Sequence, residues 1–342
     1  MTTSSPVSVI SNRLHCIDDA VPLTLSVIIP FYNEASVITE CHERLISVLN
    51  TIKGHCEIIY VDDGSTDGSR QLVEQFSEDN VSLRYIGLSR NFGKEAAMSA
   101  GLEYAQGSAV ILLDADLQDP PELIPSMLDK WQEGYDVVNM QRIKRQGETW
   151  VKRFSAKCFY KVLNALSDIE VPSNVGDFRL LSREVVLHIN QMPERNRYMK
   201  GIFSWPGFNQ TTLPFVRDAR FSGETKWNYV KLFGLAVDGI TSFSIKPLRI
   251  ATILGCAIAL WAFIYGMIII IKTMIFSEVV SGYPSMMVVQ LALGGIQLLC
   301  MGVMGEYIGR IFIEAKHRPL YLIQTVIDQP AVQAAQIYEK SA

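Results

Sequence analysis

Residues 109–122 read Ala-Val-Ile-Leu-Leu-Asp-Ala-Asp-Leu-Gln-Asp-Pro-Pro-Glu, an apolar run that ends abruptly in carboxylates. Ala109 to Leu113, bounded by Gly107 and Ser108, predicts a short, fully apolar strand suited to the middle of a parallel sheet. Extended backbone beyond it sends Asp114, Asp116 and Gln118 to one side. Hard oxygen ligands converging at the carboxyl end of a parallel strand are what Mg²⁺ or Mn²⁺ needs to hold a diphosphate. Asp119 reads as a helix N-cap with Pro120 at the first helical position. A bare Asp-x-Asp is short, and a polar turn at a strand end has the same letters. Its neighbours decide between the two.

Upstream, the same alternation repeats. Leu23 to Ile29 predicts a strand stopped by Pro30, and Phe31 to Glu34 a turn opening an amphipathic helix to about Ile52. Glu57 to Val61 is a second strand, followed by Asp62-Asp63-Gly64-Ser65 and a helix to about Phe76. Leu83 to Leu88 is a third, and Asn91-Phe92-Gly93-Lys94 introduces an Ala-rich helix to about Ala105. Downstream come a helix from about Pro120 to Gln132 and a strand from Asp136 to Gln141. Strands alternating with helices of this length predict an α/β domain with a mostly parallel sheet covered on both faces. Ligands of such sheets bind beyond the carboxyl ends of the strands, where Glu34, Asp62, Asp63, Asp114 and Asp116 all fall. Carboxylates gathered on one rim repel unless a cation or a donor-rich ligand joins them. Neither GxGxxG nor a Walker A motif is present, which disfavours a dinucleotide fold or a P-loop NTPase.

The 342 residues carry a net charge of −4, so no basic excess argues for nucleic acid. The six cysteines have no CxxC spacing and the five histidines no zinc-ligand spacing, which predicts reduced thiols in a cytosolic or membrane setting. Residues 1–22 are polar and mixed, predicting a flexible tail without the apolar segment of a secretory signal.

Pro30-Phe31-Tyr32-Asn33-Glu34, Asp62-Asp63-Gly64-Ser65 and Asp114-Ala115-Asp116 resemble, in order and spacing, the inverting family 2 glycosyltransferases of GT-A (Rossmann-like) fold. Gly176-Asp177-Phe178-Arg179-Leu180-Leu181 and Ser222-Gly223-Glu224-Thr225-Lys226-Trp227 narrow the resemblance to the polyprenyl-phosphate glycosyltransferases. That group contains dolichol-phosphate mannose synthase and the bactoprenol (undecaprenyl-phosphate) glucosyltransferases, and the resemblance runs from about Leu25 to Arg318. It implies that Pro30, Tyr32, Glu34, Asp62 and Asp63 hold the nucleotide, and that Asp114 contacts nucleotide or donor sugar. It further implies that Asp116 and Gln118 ligate the metal bridging the diphosphate. Asp177 would be the general base, or would orient the acceptor phosphate, a group already largely ionised at neutral pH. Read alone, an Asp in this setting is more often structural.

A leaving UDP and an acceptor phosphate both demand positive charge. Arg142, Arg153, Arg220 and Lys226 are the candidates, Lys226 by its likeness to the loop that closes over the diphosphate in the family. The basic run from Gln141 to Lys157 reads equally as a solvated face or one apposed to anionic lipid. Lys94 reads as a structural residue.

From residue 226 the chain changes character. Residues 226–246 are amphipathic and suit a helix lying in a membrane interface. Ile250 to Ile271 and Val279 to Gly305 are free of charge and long enough to span, the second starting near Pro284. Lys246 and Arg249 precede the first span, and Arg310, Lys316 and Arg318 follow the second. The positive-inside bias therefore puts both ends in the cytosol. The expected organisation is a tail over 1–22, a glycosyltransferase domain over 23–225, the interfacial helix over 226–246, a hairpin over 247–310 and a cytosolic tail over 311–342.

Together these imply a metal-dependent enzyme of the bacterial inner membrane. It would transfer a hexose, best read as glucose, from a UDP-sugar to undecaprenyl phosphate for O-antigen or other envelope glycan modification. By analogy the resemblance adds a homo-oligomer, a tetramer in the fullest form, and a flippase partner. Within the class the rivals are mannose or a 4-amino-arabinose derivative. Outside it stands a membrane protein that binds nucleotide without turnover. A processive synthase would want more spans and a Gln-x-x-Arg-Trp motif, which the sequence lacks.

Overall fold

The computed structural model describes residues 25–143, 175–195, 197–216, 241, 244–276 and 282–331. The expected N-terminal tail, most of the basic run with Arg153, the segment with Arg220 and Lys226, and most of the interfacial helix lie outside the described residues.

Eight strands form one sheet in the order β7-β5-β6-β4-β1-β2-β3-β8. They are β1 (Leu25–Phe31), β2 (Cys56–Asp62), β3 (Val81–Leu88), β4 (Ala109–Leu112), β5 (Val137–Arg142), β6 (Val175–Ser182), β7 (Gln210–Phe215) and β8 (Ile323–Gln329). Six run parallel, while β6 and β8 run against their neighbours. The mostly parallel α/β sheet of a GT-A-like domain is therefore present. Helices α1 (Ile38–Leu49), α2 (Ser69–Glu74), α3 (Lys94–Tyr104), α4 (Ile124–Gln132), α5 (Arg183–Gln191) and α6 (Met199–Ile202) belong to this domain.

Alternate residues of the central strands divide between two layers, as the period of two requires. Val27, Ile29, Ile58 and Tyr60 pack with Ile38, Leu45 and Leu49 of α1 and with Met127 and Leu128 of α4. Ile28, Ile59 and Val61 pack with Ala97, Ala100 and Leu102 of α3 and with Val185 and Ile189 of α5. Each large side chain buried this way contributes about 1.5–3 kcal/mol.

Pro30 was expected to stop the first strand but lies inside it, opposite Val61. The ladder to β4 ends at Ile28, so the missing N–H of Pro30 has no strand partner to disappoint. α1 stops at Leu49 instead of Ile52, and Asp119 is not an N-cap. A 3₁₀ turn at Pro121–Leu123 comes first, and α4 begins only at Ile124. The expected tail over 311–342 contains β8, which closes the edge of β3. Arg84 pairs with Asp328 across that edge.

α7 (Lys246–Phe276) and α8 (Tyr283–Ala315) are long and apolar enough to cross a membrane, and their side chains point outward from the protein. An apolar surface of this extent needs lipid around it. At its far end α8 is fastened to the catalytic domain: the Arg195 N–H donates to Glu314 at 2.8 Å and its side chain to the Arg318 carbonyl at 2.6 Å.

Candidate active site

Two loops at the carboxyl ends of β1 and β2 are laced together. Asn33, in the left-handed region at φ 57°, donates its N–H to Ser65 Oγ and accepts from the Thr66 N–H. The Glu34 N–H donates to Ser69 Oγ and the Ala35 N–H to Asp67. Asp62 and Asp63 are buried beneath them. Asp62 accepts from the Ser65 N–H at 2.7 Å and the Tyr85 hydroxyl at 2.9 Å. Asp63 accepts from the N–H groups of Phe92 at 2.7 Å and Gly93 at 2.9 Å. Burial raises the Asp63 pKa, opposed by those two bonds and helped by Asp62. Both acids thus hold loops, whereas Tyr32 stands exposed at the rim with Glu34 half-buried beside it.

Beyond β4 the backbone is not extended. Ala115 and Asp116 form a turn and Leu117 takes φ 58°, so the expected one-sided row of Asp114, Asp116 and Gln118 is replaced by a bend. The Gln118 N–H donates back to Asp116 Oδ1 at 3.2 Å. Gln118 is buried and its Oε1 has no hydrogen-bond partner among the described residues. A buried carbonyl oxygen without a donor next to a carboxylate suits a hard cation. The described residues hold no group of three or more His, Cys, Asp or Glu side chains placed for a metal.

Asp177 reaches the same rim because β6 runs antiparallel to β4. Leu112 pairs with Arg179, so residues preceding Arg179 lie beside those following Leu112. Lys94, the first residue of α3, bridges the two strands: its Nζ is 2.6 Å from Asp114 Oδ1 and 2.6 Å from Asp177 Oδ2. Burial disfavours the charge on Lys94, but Asp114 and Asp177 outweigh it and raise the pKa above the ordinary lysine value. Burial would likewise raise Asp177; Lys94 overrules it, with Arg179 and Lys200 adding, and the carboxyl is held far below the usual range.

Three further cations surround this pair. Arg142, at the end of β5, lies 3.7 Å from the buried carboxylate of Asp119. Its guanidinium passes over Gly176, where a Cβ would come within 2.6 Å of Nη2. Arg179 is buried, donates to the Gly176 carbonyl at 2.7 Å and stacks over Phe203 at 4.1 Å. Burial lowers its pKa to about 10, against the pull of Asp177. Lys200 on α6 is lowered by burial and by the neighbouring Arg179, Arg142 and Lys94, with Asp177 opposing.

Of the expected residues, Asp114 and Asp177 are brought together, and Asp116, Gln118 and Arg142 lie on segments adjoining them. Pro30 and Asp62 lie at the carboxyl ends of β1 and β2, and Tyr32, Glu34 and Asp63 on the neighbouring loops. Arg153, Arg220 and Lys226 lie outside the described residues. The sequence reading gave Lys94 a structural role and did not single out Arg179 or Lys200. Arg179 had a signal, a charge inside the apolar stretch Phe178 to Leu181; so did Lys94, a cation where a helix favours an anion.

The chain was compared with known proteins. Residues 26–189 match the model of glycosyl transferase family 2, and residues 246–311 that of the GtrB C-terminal hairpin. An uncharacterized glycosyltransferase of Synechocystis sp. is 52% identical over 302 residues, 88% of this chain and 95% of the relative. The bactoprenol glucosyl transferase of Shigella phage SfV is 44% identical over 302 residues, 88% of this chain and 98% of its own. Among solved structures, glucosyl-3-phosphoglycerate synthase from Mycobacterium tuberculosis, in complex with Mn²⁺, UDP and glucosyl-3-phosphoglycerate, is 21% identical with a TM-score of 0.42. That match covers 64% of this chain and 78% of the synthase.

Proposed function

Because this chain belongs to glycosyl transferase family 2 and carries the GtrB-type hairpin, we propose that it transfers glucose from UDP-glucose to undecaprenyl phosphate at the cytosolic membrane face. The lipid-linked glucose would serve O-antigen or other envelope glycan modification. The carrying observation is the union, in one chain, of the acid-and-cation rim with an apolar hairpin, matched along 98% of a bactoprenol glucosyl transferase.

In the reaction an oxygen of the acceptor phosphate attacks the anomeric carbon while the bond from that carbon to the β-phosphate oxygen breaks. UDP leaves with the electron pair, and a single displacement inverts the centre. The acceptor oxygen is already ionised near neutral pH, so little proton transfer is needed. That suits Asp177, which is held ionised and serves better to orient than to take a proton. Arg142, Arg179 and Lys200 offer the charge an incoming phosphate requires. Asp116 and Gln118 would hold Mg²⁺ or Mn²⁺, which when bound neutralises the charge growing on the leaving diphosphate. Tyr32 and Glu34 with the loops fixed by Asp62 and Asp63 would take the nucleotide.

The basic residues Lys246, Arg249, Arg310, Lys316 and Arg318 flank both outer ends of the hairpin. This supports a cytosolic catalytic domain on an inner membrane crossed twice. A soluble donor would there meet a lipid whose head lies at the same surface, and such proximity is a large part of catalysis.

The test uses the full chain in detergent with undecaprenyl phosphate and Mg²⁺. Labelled UDP-glucose, UDP-galactose, UDP-N-acetylglucosamine and GDP-mannose are offered in parallel. Label entering the organic phase from UDP-glucose alone is expected. Transfer from another donor replaces the sugar, and transfer from none, with UDP still bound, overturns the acceptor.

A further inference from the structure

Lys94 stands where helix physics disfavours it. The N-terminus of an α-helix carries partial positive charge and stabilises anions, so a lysine as the first residue of α3 works against the helix. Its backbone is nevertheless fixed with care. Gly93, at φ 102°, and Phe92 both donate their N–H groups to Asp63, which orients the turn from the nucleotide side. From that turn the ammonium reaches Asp114 on the donor side and Asp177 on the acceptor side at 2.6 Å each. The side chain is 40% exposed, so it faces the open rim and is not sealed in the core.

We propose that Lys94 is a positioning residue for the transfer reaction, acting through Asp177: it holds that carboxylate aimed and in register with Asp114. The inference rests on the proposed function and adds to it the group that links the two substrate halves. Without the ammonium the two carboxylates lose the charge that permits them to share a rim, and Asp177 swings away from the acceptor.

A double-mutant cycle on the full chain in detergent tests this, with Lys94→Met, Lys94→Arg, Asp177→Asn and Lys94→Met/Asp177→Asn. UDP binding is measured by calorimetry and transfer to undecaprenyl phosphate from whichever donor the wild type accepts. Lys94→Met is expected to lose at least ~30-fold in kcat with UDP affinity within ~3-fold of wild type, as misplacement of a reacting partner does. Lys94→Arg keeps the charge and recovers part of the loss. The double variant is expected to be no slower than Asp177→Asn, because the effect runs through that residue. Additive losses, an Asp177→Asn enzyme as fast as wild type, or a Lys94→Met loss matched by equal loss of UDP binding each overturn the proposal. A wild type that transfers from no donor overturns the proposed function and this inference with it, whereas wild-type transfer with an additive cycle overturns this inference alone.

Discussion

Replacing Gly176 by alanine moves one cation of the site by a defined amount. The added Cβ would lie 2.6 Å from Arg142 Nη2 and 3.2 Å from its Cζ, whereas ordinary contact begins at 3.4 Å. The guanidinium must therefore retreat by about 0.8 Å, the shortfall between 2.6 and 3.4 Å. The obstacle is the far end of a long side chain, so the backbone of β6 has no reason to shift. Reduced freedom of the unfolded chain contributes about 0.4–1 kcal/mol in the opposite sense, so the melting temperature should stay within a few degrees. Catalysis is less forgiving: a displacement near 1 Å in a positioned group costs up to about 100-fold. We expect Gly176→Ala to raise KM for undecaprenyl phosphate and to lower kcat/KM for that substrate about 10- to 100-fold. UDP binding, made by other loops, should not change. The assay is initial-rate transfer with the lipid varied at saturating donor, beside thermal unfolding in the same detergent. An unchanged kcat/KM for the lipid at a normal melting temperature would remove Arg142 from the acceptor site.

Three other outcomes follow from the same structure. Asp116→Asn and Gln118→Leu should each raise the Mg²⁺ concentration for half-maximal activity by about 10-fold or more, since one of few protein ligands is lost; an unmoved metal titration refutes the assignment. His42 is buried, stacks on Phe76 at 4.0 Å and bonds Tyr60 and Glu78. Burial lowers its folded pKa despite Glu78, so the unfolded chain takes up its proton first. Stability from this group is then complete above the unfolded value of about 6.5 and falls as pH drops below it, which thermal unfolding at pH 7.5 and 5.5 should show in wild type and less in His42→Gln. Ending the chain after Arg318 removes β8 and bares the β3 edge; a lower melting temperature and concentration-dependent aggregation are expected, and an unchanged monodisperse protein would refute a structural role for β8.

The central strands were legible because burial on both faces writes a plain signal. AVILL is apolar throughout, LTLSVII and EIIYV are predominantly so, and EIIYV and AVILL run straight into Asp-rich turns. Strand direction leaves no such mark. Val175 to Ser182 contains the acceptor-side Asp177, but nothing in its letters says that β6 runs backward beside β4. β8 did carry a period-two pattern, with Ile323, Thr325 and Ile327 half-buried between exposed Gln324, Val326 and Asp328. It follows the hairpin, far in sequence from the sheet it joins, so the pattern alone does not place it. The turn after β4 departs from an extended continuation because Leu117 adopts a left-handed backbone that bulky residues seldom take. A lysine at a helix start reads as structural, and its two carboxylate partners come from strands distant in sequence, which local letters do not reveal.

The reversed strand is also what makes one rim sufficient. Parallel strands bring only their carboxyl ends to the ligand edge, and β1, β2 and β4 fill that edge with the loops read as the donor half. An antiparallel β6 adds an amino end there, which brings Asp177 to the rim that holds Asp114, with Lys94 between them. α3 then spans the molecule between the two functions. Its first residue joins Asp114 to Asp177, while Ser99 at its middle accepts from Arg197 and Glu103 near its other end accepts from the Tyr321 hydroxyl. Arg197 belongs to the same loop as Arg195, which grips the end of α8. The helix whose first residue joins Asp114 to Asp177 is thus fastened to the segment that follows the hairpin. On the proposed function the second substrate is anchored in lipid, and this chain of bonds would then hold the rim at a fixed height above the bilayer with residues of the domain itself.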